Sequence, residues 1–98
     1  MTENRDKKRL LIIEDDLGLQ KQLRWTFDQY AVSVASDRES ALAMVRRHEP
    51  SVITMDLGLP PDQDGATEGL ATLKQILALA PDTKIIVLTG NQDNATAL

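Results

Sequence analysis

Hydrophobic residues in this chain fall into two kinds of segment that alternate. Leu10-Leu11-Ile12-Ile13 is an unbroken apolar run that stops at Glu14-Asp15-Asp16, and Val52-Ile53-Thr54-Met55 stops at Asp56. Lys84-Ile85-Ile86-Val87-Leu88 closes at Thr89-Gly90. Short runs of this kind suit strands buried on both faces, as in a parallel sheet. Val32 and Val34, alternating with Ser33 and Ala35, predict a further short strand. Between the runs lie helical stripes: Leu19, Leu23 and Phe27; then Ala41, Leu42 and Val45; then Leu70, Leu73, Ile76, Leu77 and Ala80, stopped by Pro81. Trp25 flanks the first stripe and is expected to pack. Ser36-Asp37-Arg38-Glu39 has the S-x-x-E form of a capping box, which predicts Ser36 as the N-cap of the second helix. A further helix is expected to start near Asp93.

The predicted order is therefore β-α-β-α-β-α-β. Alternation at this spacing argues for an α/β fold, a parallel sheet with helices on both faces, and right-handed crossovers leave few topologies. The one irregular stretch is Gly58 to Gly69, rich in Pro, Gly and Asp.

Composition narrows the class. With 98 residues, 42% of them hydrophobic, the chain has room for one domain with a real core. There is no cysteine, which excludes disulfides and thiolate metal sites. Residues 1–8 are polar and expected to be flexible. No apolar run approaches the length of a signal-peptide core or a membrane span, so a soluble cytoplasmic protein is expected. The net charge is -4, and Lys7-Lys8-Arg9 and Arg46-Arg47 are the only basic clusters. Nothing here forms the basic face of a nucleic-acid binder, so any DNA contact would belong to another part of a longer chain. His48, the only histidine, reads as a helix-end residue rather than a catalytic base.

Candidate chemistry lies at the strand ends. In an open α/β sheet, ligands bind beyond the carboxyl ends of the strands. Glu14 and Asp15 close the first strand, with Asp16 behind them, and Asp56 closes the third. If those strands are neighbours, the acids converge, and carboxylates that close repel unless a cation joins them. An all-oxygen, partly hydrated set suits Mg²⁺. Thr89, at the end of the fourth strand, could hydrogen-bond a phosphoryl oxygen. A carboxylate nucleophile, a metal and a hydroxyl donor together describe phosphoryl transfer.

The blocks "LLIIEDD", "VITMDLGLP" and "KIIVLTG" resemble, in order and spacing, three blocks of the receiver domains of bacterial two-component response regulators. The resemblance runs from about Leu10 to the end of the chain. It implies a flavodoxin-like doubly wound parallel sheet of order 2-1-3-4-5. It also implies Asp56 as the phosphoacceptor, Asp15 as a direct Mg²⁺ ligand, Glu14 as a ligand through water, the Gly58 backbone carbonyl as a further ligand, and Thr89 as the switch hydroxyl. The implied partners are a sensor histidine kinase as phosphoryl donor and an output domain. The implied activity is limited to the domain's own phosphorylation and dephosphorylation, not that of an enzyme with a separate substrate. The loop wording, with "ATEGLATL", resembles regulators of the PEP-CTERM system, which carry a sigma-54-activating ATPase and a DNA-binding domain.

Two features depart from the family pattern. The loop after Asp56 is about five residues longer than usual, running through Pro60-Pro61-Asp62-Gln63-Asp64-Gly65-Ala66-Thr67-Glu68-Gly69, and is read as a flexible insertion in preference to a specificity element. The chain ends at Leu98, ahead of the family's fifth strand, its lysine and the fifth helix, and neither Lys74 nor Lys84 stands at that lysine's position. A C-terminally truncated receiver domain is expected, with an exposed fourth-strand edge through which it forms a homo-oligomer. Two alternatives remain: a receiver-like interaction module that never takes phosphate, and a haloacid-dehalogenase-type phosphohydrolase. The second requires Asp-x-Asp after the first strand, where this chain has Glu14-Asp15-Asp16.

Overall fold

The computed structural model describes residues 7–88 and 95–97. Strand β1 (Arg9–Ile13) leads into helix α1 (Leu17–Thr26), β2 (Ala31–Ala35), α2 (Arg38–His48), β3 (Val52–Asp56), α3 (Thr67–Leu79), β4 (Lys84–Leu88) and a three-residue β5 (Ala95–Ala97). The sheet order is β2-β1-β3-β4-β5. The first four strands are parallel, with Ile12 opposite Val34 and Thr54, and Thr54 opposite Ile86.

The chain steps from β1 outward to β2, then back across β1 to β3. Right-handed crossovers in opposite directions put helices on opposite faces. Accordingly α2 and α3 share one face, where Leu11, Ile13, Ile53, Met55, Ile85 and Val87 meet Leu42, Val45, Leu73 and Ile76 in one cluster. Helix α1 stands on the other face, over Leu10 and Ile12, both buried.

Several expectations are corrected here. The cap of α2 is Asp37, not Ser36: its carboxylate accepts the Ser40 amide at 2.9 Å, and the Ser40 hydroxyl accepts the Asp37 amide at 3.3 Å. The box is shifted by one residue because a carboxylate accepts at least as well as a hydroxyl at this position. Trp25 does not pack; it is 82% exposed. In α3 the inward side is Gly69, Thr72, Leu73 and Ile76, whereas Leu70 and Leu77 are exposed.

The β4 edge is also not open. Residues 95–97 pair with it antiparallel, Ala95 opposite Leu88 and Ala97 opposite Ile86, where a helix from near Asp93 was expected. An antiparallel return needs only a short connection, whereas a parallel one needs a crossover of about a dozen residues. With that edge occupied, self-association through it loses its basis. The family's parallel fifth strand and fifth helix are not among the described residues.

The loop after β3 is tied to the fold at several points. Leu59 is fully buried in the core, the Asp62 amide donates to the Leu59 carbonyl at 2.9 Å, and the Asp62 carboxylate accepts the Thr67 amide at 3.3 Å. The Pro60–Pro61 peptide is cis. A Cβ at Gly69 would lie 2.3 Å from the Leu57 carbonyl oxygen, so α3 starts flush against the strand end. Arg38 and Glu68 pair at 2.8 Å and tie the starts of α2 and α3 together. No described helix is long and apolar enough to cross a membrane.

Candidate functional site

Adjacent parallel strands that end level put their carboxyl-terminal residues side by side. Ile13 pairs with Met55, so Glu14 and Asp15 emerge next to Asp56. Each of the three offers a carboxylate oxygen within 4.8 Å of the others. Sequence reasoning placed these acids together, and the structure brings them together.

Glu14 sits deepest, 3% exposed, while Asp15 and Asp56 are half-buried. Its amide extends the sheet by donating to the Ala35 carbonyl at 2.9 Å, and its carbonyl accepts the Gln20 carboxamide. The backbone is thus held from both sides, and the side chain is committed to the pocket. Burial, followed by the charges of Asp56 and Asp15 and a side-chain hydrogen bond with Asp56, pushes the Glu14 carboxyl up from its ordinary 4.5 to about 7. A bond from the Asp16 amide to its carboxylate, at 3.1 Å, pulls the other way.

Asp16 has a separate task. Its carboxylate accepts the amides of Gly18 and Leu19 at 2.8 and 3.1 Å and caps α1. This divides the acidic triplet, with two carboxylates turned to the pocket and the third to the helix start. Gly58 contributes through its amide, which donates to Asp56 Oδ1 at 3.1 Å. Sequence reasoning named only the Gly58 carbonyl. The signal for the amide was the D-x-G spacing, an Asx-type turn in which a carboxylate reaches its own backbone two residues on. A side chain at 58 would strike the loop, since its Cβ would lie 2.4 Å from the Gln63 carbonyl oxygen. Gln20 was also missed, and nothing in the apolar pattern marks it. Thr89 lies outside the described residues.

Three carboxylates sharing one pocket, with one of them holding its proton near neutrality, form a site short of positive charge. Arg38–Glu68 is the only ion pair among the described residues, so no lysine or arginine there compensates the cluster directly. The donor set is oxygen only and partly open to water, which fits a hard divalent cation.

Residues 10–98 match the family described as "Response regulator receiver domain". The chain is 34% identical over 88 residues to the oxygen regulatory protein NreC of Staphylococcus carnosus, covering 85% of this chain and 39% of that protein. It is 32% identical over 84 residues to the response regulator MprA of Mycobacterium leprae, covering 84% and 35% respectively. The chain therefore spans well under half the length of these curated relatives. Among solved structures, a response regulator protein from Burkholderia pseudomallei with a phosphorylated aspartic acid, calcium ion and citrate superposes with a TM-score of 0.75 at 31% identity, over 86% of this chain and 48% of that one. A CheY-like receiver domain protein from Methanospirillum hungatei JF-1 gives 0.75 at 28% identity, over 86% and 65%.

Proposed function

This chain belongs to the response regulator receiver family, and from that premise we propose that Asp56 accepts a phosphoryl group from a phosphohistidine of a sensor kinase. The observation that carries the reading is the convergence of Glu14, Asp15 and Asp56 within 4.8 Å at the ends of neighbouring strands. The Gly58 amide holds Asp56 Oδ1, which orients the carboxylate and leaves Oδ2 to attack phosphorus. The new O–P bond forms as the N–P bond of the donor breaks, and the electron pair returns to the imidazole nitrogen. Hydrolysis reverses the mark: water attacks phosphorus, inorganic phosphate leaves, and the Asp56 carboxylate is restored.

In this reading Asp15 and Asp56 would hold Mg²⁺ directly, Glu14 would hold it through water, and the Gly58 carbonyl would complete the protein's share. The ion, when bound, neutralises charge on the phosphoryl oxygens. Thr89, outside the described residues, would supply a hydroxyl donor to one of those oxygens. The domain is a signalling element rather than an enzyme with a separate substrate. It works in the cytoplasm and passes its state to an output domain elsewhere in a longer protein. The added charge of roughly -1.5 to -2 is what biases that output.

Mass spectrometry after incubation with acetyl phosphate and Mg²⁺ tests the assignment. The native protein gains one phosphoryl mass, and Asp56→Asn and metal-free protein do not. A native protein that never gains the mass, or an Asp56→Asn variant that still does, refutes it.

A further inference from the structure

The opposite end of the sheet, where the strands begin, carries a second concave feature that phosphoryl transfer at Asp56 does not use. It is a cleft of about 550 Å³ lined by Arg9, Arg24, Asp28, Tyr30, Ser33 and His48, a size ordinary for metabolite sites. Arg9 opens β1, Tyr30 immediately precedes β2 and Ser33 lies midway along it, Arg24 lies in the last turn of α1, and His48 ends α2. The cleft therefore collects side chains from four elements around the free β2 edge.

Its charge is unusual for a chain of net charge -4. Two guanidinium groups and the only imidazole face one carboxylate. Neither arginine forms an ion pair with that carboxylate, the Arg38–Glu68 pair being the only one among the described residues. Arg9 donates to the His48 carbonyl at 2.8 Å, and Lys7 donates to the Asp28 carbonyl at 3.3 Å. These bonds occupy backbone oxygens that would otherwise repel an anion. The lining residues are rich in donors: two arginines, Tyr30 and Ser33. Guanidinium binds carboxylate and phosphate through paired N–H donors, and such charge-assisted bonds are the strong ones.

We propose that this cleft, which wraps the β2 edge, binds a small multivalent oxyanion, a phosphate or a dicarboxylate, with Arg24 as its principal contact on the α1 side, Arg9 and Ser33 contributing from the α2 side, and Asp28 limiting affinity. The site is independent of Asp56, since Arg9 opens β1 and Glu14 follows its far end.

Titration of the ¹⁵N-labelled protein with inorganic phosphate and, separately, with succinate tests this. Saturable shifts of the Arg24, Ser33 and His48 amides are expected with one or both probes, at a Kd of about 1 mM or tighter. Phosphate alone or succinate alone identifies which oxyanion is preferred. Arg24→Gln weakens binding about tenfold or more, Ser33→Ala weakens it less, and Asp28→Asn tightens it. The opposite sign for Asp28 keeps the test open even if one arginine variant folds poorly. Absence of saturable shifts with both probes, or unchanged affinity in both Arg24→Gln and Asp28→Asn, overturns the proposal.

Discussion

The two faces of the sheet are made from the same strands yet are covered very differently. On the α2/α3 face, side chains from both helices interlock with the strands around Ile53, Met55 and Ile76, all fully buried. On the α1 face, Leu10 and Ile12 are equally buried, but α1 contributes no buried residue, and Leu17, Leu19 and Trp25 point outward. Thr54, facing that side between Ile12 and Ile86, carries a buried hydroxyl with no hydrogen-bond partner among the described residues. Stability is therefore concentrated on one face. The carboxylates sit at the rim, where strand alternation carries the Leu10–Ile12 side on to Glu14. A sheet anchored from one side leaves the other side, and the rim, free to respond to a change in charge.

Substitutions can break this comparison. The largest effect is expected for Ile76→Ala, which leaves a cavity in the interlocked face and costs about 2–5 kcal/mol in denaturant unfolding. A loss under about 1 kcal/mol would mean that this face is not where stability resides.

Next comes the rim. Glu14 ionises near 4.5 when unfolded and near 7 in the fold, so the native state binds its proton more tightly. Stability without divalent cation is highest below pH 4.5 as far as this group is concerned. It then declines as pH rises to about 7, where the folded carboxyl gives up its proton. Unfolding curves across that range show the decline, and saturating Mg²⁺ removes it. Glu14→Gln flattens the profile without metal, and a profile unchanged by Glu14→Gln would assign the decline elsewhere.

A smaller effect of opposite sign tests the looser face. Thr54→Val removes the unpaired hydroxyl while keeping the side-chain shape, and is expected to stabilise by about 1 kcal/mol. Destabilisation by that amount would show that the hydroxyl has a partner in solution. The smallest change is expected for Trp25→Ala, within about 0.5 kcal/mol of the native protein. A cost comparable to that of Ile76→Ala would erase the difference between the faces.

Much of this was legible in the residues. Apolar runs ending in acids marked two strands and the pocket at once, because in a parallel sheet burial on both faces and ligand placement at strand ends have one cause. The misreadings share a different cause. Periodicity identifies a helix but not how deeply it sinks. Leu19, Leu23 and Phe27 form a regular stripe, yet α1 lies on the thinly covered face. Leu70 and Leu77 flank the α3 stripe that Leu73 and Ile76 bury. Ser36 matched a capping pattern as well as Asp37, and geometry chose the carboxylate. The pairing of residues 95–97 with β4 left no pattern in three small residues.

The close approach of the Gln63 carbonyl to Gly58 has a consequence for how such a chain can vary. The loop lies where a methyl group at 58 would otherwise stand, so the path of the loop and the identity of residue 58 are linked. The present loop admits glycine alone at 58, because its Gln63 carbonyl takes the place of a Cβ. Grafting this loop onto another domain therefore means transplanting its glycine as well.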